Sequence, residues 1–101
     1  MPEFANPFSG MAPDRKMTAN ELVRALRLNL AAEEEAIHMY EAHADATDHE
    51  LARKVLIDIA DEEKEHAGEF LRLLRELEPE EENFYKDGYA EVEEMISELK
   101  K

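Results

Sequence analysis

From Ala52 to Leu77, apolar residues return every three or four positions: Ala52, Val55, Leu56, Ile59, Phe70, Leu73 and Leu77. That spacing lays them along one stripe of a long helix. The stripe is interrupted only by Glu63 and His66, inside the run Asp61-Glu62-Glu63-Lys64-Glu65-His66. An ionisable pair set into a core stripe costs free energy unless something compensates it. A bound metal cation is the simplest compensator. Glu-x-x-His at i, i+3 is the inward-facing ligand motif of two-metal carboxylate helix bundles.

A second long pattern precedes it. Thr18-Ala19-Asn20-Glu21 fits a capping box, with Thr18 as N-cap and Glu21 reaching back. The helix that follows is expected to run to about Ala46. Its stripe reads Leu22, Leu26, Leu30, Glu33, Ile37, Tyr40 and Ala44, again with one acid on an apolar face. About two turns separate Glu33 from Tyr40, so both point the same way. Thr47-Asp48-His49-Glu50 reads as a short turn, with Thr47 or Asp48 as the next N-cap. The second helix is expected from about His49 to Glu78, where Pro79 stops it. So short a connection implies an antiparallel hairpin. Glu33 precedes the turn by about as many residues as Glu63 follows it, so the two acids reach nearly the same height.

The flanks are weaker. Residues Met1 to Met17 hold three of the four prolines and no periodicity, and read as a flexible arm bearing Phe4 and Phe8. Glu80, Glu81 and Glu82 suit a helix N-terminus. Gly88 is expected to break that run, leaving Tyr89 to Leu99 as a last short helix. Its face is Val92, Met95, Ile96 and Leu99, and Lys100 and Lys101 suit its end. The organisation is therefore all-α: an arm over 1–17, a helical hairpin over 18–79, and a short C-terminal assembly helix over 80–101.

A two-metal bundle site takes a Glu from each of two helices and a Glu-x-x-His from each of two others. This chain offers one of each, hence half a site. A two-fold axis would set Glu33, Glu63 and His66 against the same trio of a second copy, so the expectation is a four-helix bundle completed by homodimerisation. The oxygen-rich donor set suits iron or manganese better than copper, and zinc also fits it.

Composition limits the remaining choices. The 101 residues carry 26 acidic against 12 basic side chains, a formal charge of −14. Nucleic acid needs a basic footprint, and an anionic membrane surface attracts one, so neither is an expected partner. A negative field does gather cations, although it also serves solubility alone. With no cysteine, disulfides, thiolate-bound zinc and iron–sulfur centres are excluded. No apolar run spans a bilayer and no secretory signal is visible, so a cytoplasmic location is expected.

The two motifs, Glu33 with Tyr40 and Glu62-Glu63-Lys64-Glu65-His66-Ala67, resemble those of the encapsulated ferritins, half-sized members of the ferritin–rubrerythrin group. The resemblance covers about Glu21 to Leu77. It implies ferroxidase activity, the oxidation of Fe(II) to Fe(III) at a di-iron site shared across a dimer. Glu33, Glu63 and His66 would be the metal ligands, Tyr40 their neighbour, and Glu35 a residue that attracts metal on its way in. It also implies dimers assembled into a ring, typically a decamer, inside an encapsulin shell that stores the iron. Two features depart from the family. The acid often found just before the first-helix ligand is Ala32 here, and the sequence finishes Glu98-Leu99-Lys100-Lys101 without the apolar, Gly-containing tail that docks cargo on a shell. A shortened chain, a member fused to its shell, and a member without a shell all fit that ending.

Other readings of the same residues stay open. Glu63 and His66 also fit a solvated charge run with Glu–Lys pairs at i, i+4, and Tyr40 fits a core aromatic with a polar tip. His38, His43 and His49 read as surface residues. A rubrerythrin-like peroxide reductase would use the same site with an external electron donor. A non-catalytic acidic adaptor, or a bundle holding zinc or manganese without turnover, would share the fold.

Overall fold

The computed structural model describes residues 15–101. Three helices follow one another: α1 (Ala19–Asp45), α2 (Glu50–Leu77) and α3 (Glu81–Leu99). The described residues contain no strand. The expectation of an arm lies outside the described residues as far as position 14, Phe4 and Phe8 included. Of its last three residues, Arg15 forks onto Glu21 with bonds of 2.7 and 2.8 Å.

The start of α1 is the capping box expected from sequence. Thr18 Oγ1 accepts from the Glu21 N–H at 3.2 Å, and Glu21 Oε1 accepts from the Thr18 N–H at 2.9 Å. Both bonds satisfy donors that a helix start leaves unpaired. The Arg15 guanidinium, aided by the Thr18 backbone, holds the Glu21 carboxyl down at about 2.

α1 and α2 form the hairpin. Val23 and Leu26 meet Leu74, Glu33 faces His66, and Glu41 reaches Lys64, so partners rise in one helix as they fall in the other. The turn is capped differently from expectation. His49, not Thr47 or Asp48, is the N-cap of α2, its Nδ1 accepting from the Ala52 N–H at 3.2 Å. Thr47 Oγ1 serves one step earlier, accepting from the His49 N–H. Imidazole nitrogen can do what the usual oxygen caps do once a short turn aims it at the free N–H groups.

The covered face is offset from the stripes read from sequence: on α2 none of the buried residues lies on the expected stripe, and on α1 Val23 does not. The fully buried residues are Val23, Leu26 and Ala44 on α1 and Ala60, Ala67 and Leu74 on α2. Leu22, Leu30 and Phe70 pack on the Val23–Leu26–Leu74 cluster from its edges. Ala60 and Ala67 lie a heptad apart on α2, and Leu74 packs with Val23 and Leu26. The stripe through Val55, Leu73 and Leu77 is only half used: these residues are 47%, 42% and 39% exposed. On the opposite edge of the hairpin, Lys64 bridges Glu41 at 3.0 Å and Asp61 at 3.2 Å.

α3 also departs from expectation. It starts at Glu81 and runs through Gly88 without a break. A mid-helix glycine costs only about 0.5–1 kcal/mol relative to alanine, and the amphipathic run on both sides outweighs that. α3 buries no residue. A charged node holds its first turns to the hairpin. Glu81 accepts from Arg27, from Arg75 at 3.0 Å and from the Tyr85 hydroxyl at 2.6 Å. The Arg75 guanidinium lies 4.4 Å from the Tyr85 ring centre, a cation–π distance. Arg27 first, then Tyr85, hold the Glu81 carboxyl down at about 2.

With two long helices in one layer and α3 standing off them, the radius of gyration is 17.8 Å, against about 13 Å for a compact chain of this length. No helix among the described residues is long and apolar enough to cross a membrane.

Candidate metal centre

The hairpin brings Glu33, Glu63 and His66 together. Pairing in opposite directions across a short turn puts Glu33, in the middle of α1, level with Glu63 and His66, in the middle of α2. One donor atom of each lies within 4.8 Å of the other two. His66 Nδ1 is 3.7 Å from Glu33 Oε2 and 3.6 Å from Glu63 Oε1. Both separations are too long for hydrogen bonds. They suit atoms that share an ion: two donors about 2.1 Å from one cation stand roughly 3–4 Å apart.

Burial sharpens the point. The Glu33 and Glu63 side chains keep only 21% and 20% of their surface exposed, whereas His66 keeps 51%. Glu33 Oε2 is buried and has no hydrogen-bond partner. A buried carboxylate oxygen is normally paired, because leaving it unpaired costs about 1–3 kcal/mol or more. The atom that lacks a partner is the same one that faces the imidazole nitrogen. The donor set, two carboxylates and one imidazole, therefore fits a hard or borderline divalent cation.

Two of the trio, Glu33 and His66, line a groove of about 490 Å³ with Glu69, Phe70 and Leu73. The half-exposed Val55, Leu73 and Leu77 belong to the same α2 stripe. Tyr40 is half-buried on α1 and forms no hydrogen bond among the described residues. Glu35 is also half-buried but stands outside the trio. His38 and His43 are exposed, and His49 caps α2.

Two features were not singled out by the sequence. The Arg27–Glu81–Arg75–Tyr85 node joins residues far apart in the chain, and nothing local announces it. Glu69 does carry a local signal, since it follows His66 by three residues, but it is one acid among 26.

Comparison with known proteins agrees with this fold. The Rubrerythrin family model matches residues 24–101. The chain is 51% identical over 80 residues to the encapsulin nanocompartment cargo protein EncC of Myxococcus xanthus, covering 79% of this chain and 60% of that one. It is 45% identical over 82 residues to the ferritin-like-encapsulin shell fusion protein of Pyrococcus furiosus, covering 81% of this chain and 24% of that one. The chain thus spans less than two thirds of either relative's length. Among solved structures, the encapsulated ferritin domain from Pyrococcus furiosus superposes with a TM-score of 0.80 at 43% identity, covering 85% of this chain and 88% of that one.

Proposed function

The chain belongs to the rubrerythrin family, and on that footing we propose that it is a ferroxidase whose di-iron site is shared across a homodimer. The observation that carries this reading is the unpartnered Glu33 Oε2, held beside Glu63 and His66 Nδ1 on an open groove. Glu33, Glu63 and His66 hold substrate iron, and Tyr40 stands beside them on α1. Glu35 and the net charge of −14 raise the local concentration of cations on the way in. Two Fe(II) ions held there would each be oxidised to Fe(III), their electron pair and two protons from solvent reducing dioxygen to hydrogen peroxide, or hydrogen peroxide to water.

The protein's part is placement. The two carboxylates offset the charge of the incoming ions, and the imidazole fixes one coordination direction. One chain supplies half of the usual ligand set. The second half comes from another copy, whose α1 and α2 lie on the groove and cover Val55, Leu73 and Leu77. That contact completes a four-helix bundle and excludes water from the carboxylates. Residues 18–79 act as the catalytic hairpin, and 80–101 as the assembly segment. The exposed Val92, Met95, Ile96 and Leu99 pack on a further copy, giving a ring of dimers such as a decamer. The names of the relatives support a role as iron-handling cargo of an encapsulin shell.

The test is oxygen consumption when Fe(II) is added anaerobically to the metal-free protein and oxygen is then admitted, beside Glu63→Ala and His66→Ala. Rapid uptake, lost in both variants, is expected. Uptake equal in all three proteins would overturn the ferroxidase. Light scattering should find no monomer that binds two irons tightly. Repeating the assay with hydrogen peroxide separates a peroxide reductase from an oxygen-using ferroxidase. An acidic adaptor is set apart by thermal stability that ignores Fe(II), since a cation that binds only the folded state must stabilise it.

A further inference from the structure

We propose that Glu69 is a positioning residue for His66: with a metal held at Nδ1, its carboxylate turns to accept the hydrogen bond of the Nε2–H, on the far side of the ring from the metal ligands. The inference rests on the reading of Glu33, Glu63 and His66 as ligands.

The first observation is the direction of the ring. His66 turns Nδ1 toward Glu33 and Glu63, at 3.7 and 3.6 Å. Nε2 is then left on the other side of the ring; 51% of the side chain is exposed, and His66 lines the groove with Glu69. A ligating histidine ordinarily donates its other N–H to a carboxylate, a carbonyl or water, which fixes both tautomer and ring angle. Beyond Glu33 itself, the only carboxylate lining that groove is Glu69.

The second is helix geometry. Residues three apart share a face, with Cβ atoms about 5–6 Å from each other. Helical side chains lean toward the N-terminus. Glu69 therefore leans back over the turn that carries His66, which a carboxylate on two methylenes can reach.

The third is the lack of a competing partner. Among the described residues Glu69 forms no ion pair or hydrogen bond; the carboxylates beside His66 are Glu33 and Glu63, so the Glu69 contact is one that forms when the ring is fixed by a metal. The nearest cation along the helix, Arg72, is turned away to Glu76 at 3.1 Å. A second copy lying on the groove would dry the Glu69–His66 contact and strengthen it, since a hydrogen bond in low dielectric is electrostatically stronger than in water.

The experiment uses Zn(II) as a diamagnetic probe on the full chain, with affinity from calorimetry and the His66 imidazole followed by 15N NMR. Glu69→Ala should weaken Zn(II) binding about 10–100-fold, the usual effect of losing such a partner. It should also remove the exchange-protected Nε2–H signal. Glu69→Gln should retain the signal and most of the affinity, because its amide oxygen still accepts. Glu65→Ala removes the same charge one residue from His66, outside the groove, and should leave both readouts unchanged. An equal loss in Glu65→Ala means that only the net field matters and overturns the inference, as does a protected Nε2–H in Glu69→Ala. Weakened binding in His66→Ala but not in Glu69→Ala overturns the role of Glu69 alone. Unchanged binding in His66→Ala removes the metal site and this inference together.

Discussion

Replacing Glu33 by leucine should make the metal-free protein more stable and the metal response disappear. Glu33 Oε2 is buried without a partner, and its carboxylate shares the site with Glu63. An unpaired buried polar group costs about 1–3 kcal/mol. Glu33 keeps 21% of its side chain in solvent and only one of its oxygens is orphaned, which points to the lower end, about 1 kcal/mol. Leucine removes that penalty and continues the apolar stripe of Leu26, Leu30 and Ile37. For a domain of this size the gain appears as a rise in midpoint of roughly 4–8 °C. Fe(II) at 100 times its Kd should add about 2.7 kcal/mol to the parent protein and next to nothing to Glu33→Leu. The assay is anaerobic thermal unfolding followed by circular dichroism, with and without Fe(II). Protein concentration is held fixed because an associating chain's midpoint moves with it. A metal-free midpoint that falls in Glu33→Leu, or a variant that Fe(II) stabilises as it does the parent, refutes the reasoning.

Leu74→Ala opens a cavity between Val23 and Leu26 and should cost about 2–5 kcal/mol, read as a lower urea midpoint. Gly88→Ala meets no atom within 4 Å of the added Cβ, so it should stabilise α3 by about 0.5–1 kcal/mol, seen as slower amide exchange across Tyr85 to Val92. Glu81→Gln should loosen α3 without unfolding the hairpin, widening the distance between spin labels placed on α2 and on the end of α3. Acid should do the same. The Glu81 carboxyl is held at about 2 against an ordinary 4.5, so its contribution is whole above about pH 4.5 and fades as pH falls toward 2. Deleting the residues beyond Gly88 should reduce ring assembly before it abolishes the dimer; sedimentation velocity that finds assembly unchanged counts against α3 as the ring contact.

The hairpin was legible because its signals are local. The Thr18–Glu21 capping box, the two apolar stripes and Pro79 each act within a few residues, and the helices lie where these place them. The meeting of Glu33 with Glu63 and His66 was legible because a short turn converts counting along the chain into height. What the stripe could not reveal was which face the hairpin buries. Ala60, Ala67 and Leu74 are buried although the expected stripe passes them by, while Val55, Leu73 and Leu77 on that stripe stay half-exposed. Gly88 misled because its penalty is small beside the run that contains it. His49 was passed over because imidazole caps are less common than hydroxyl or carboxylate caps. Glu69 needed the groove, since in so acidic a sequence only position distinguishes one glutamate from another.

The attachment of α3 by charge rather than by a shared core has a genetic consequence. A lesion in the last helix, or in Glu81, takes nothing away from the packing of Leu74 against Val23 and Leu26. Such a subunit still folds, escapes the quality control that removes unfolded chains, and still presents an intact hairpin face to normal copies. In the proposed ring of dimers it would enter mixed assemblies and stop them from closing. Faults in α3 should therefore behave as dominant poisons, whereas faults in the hairpin core remove the subunit silently and behave as simple losses.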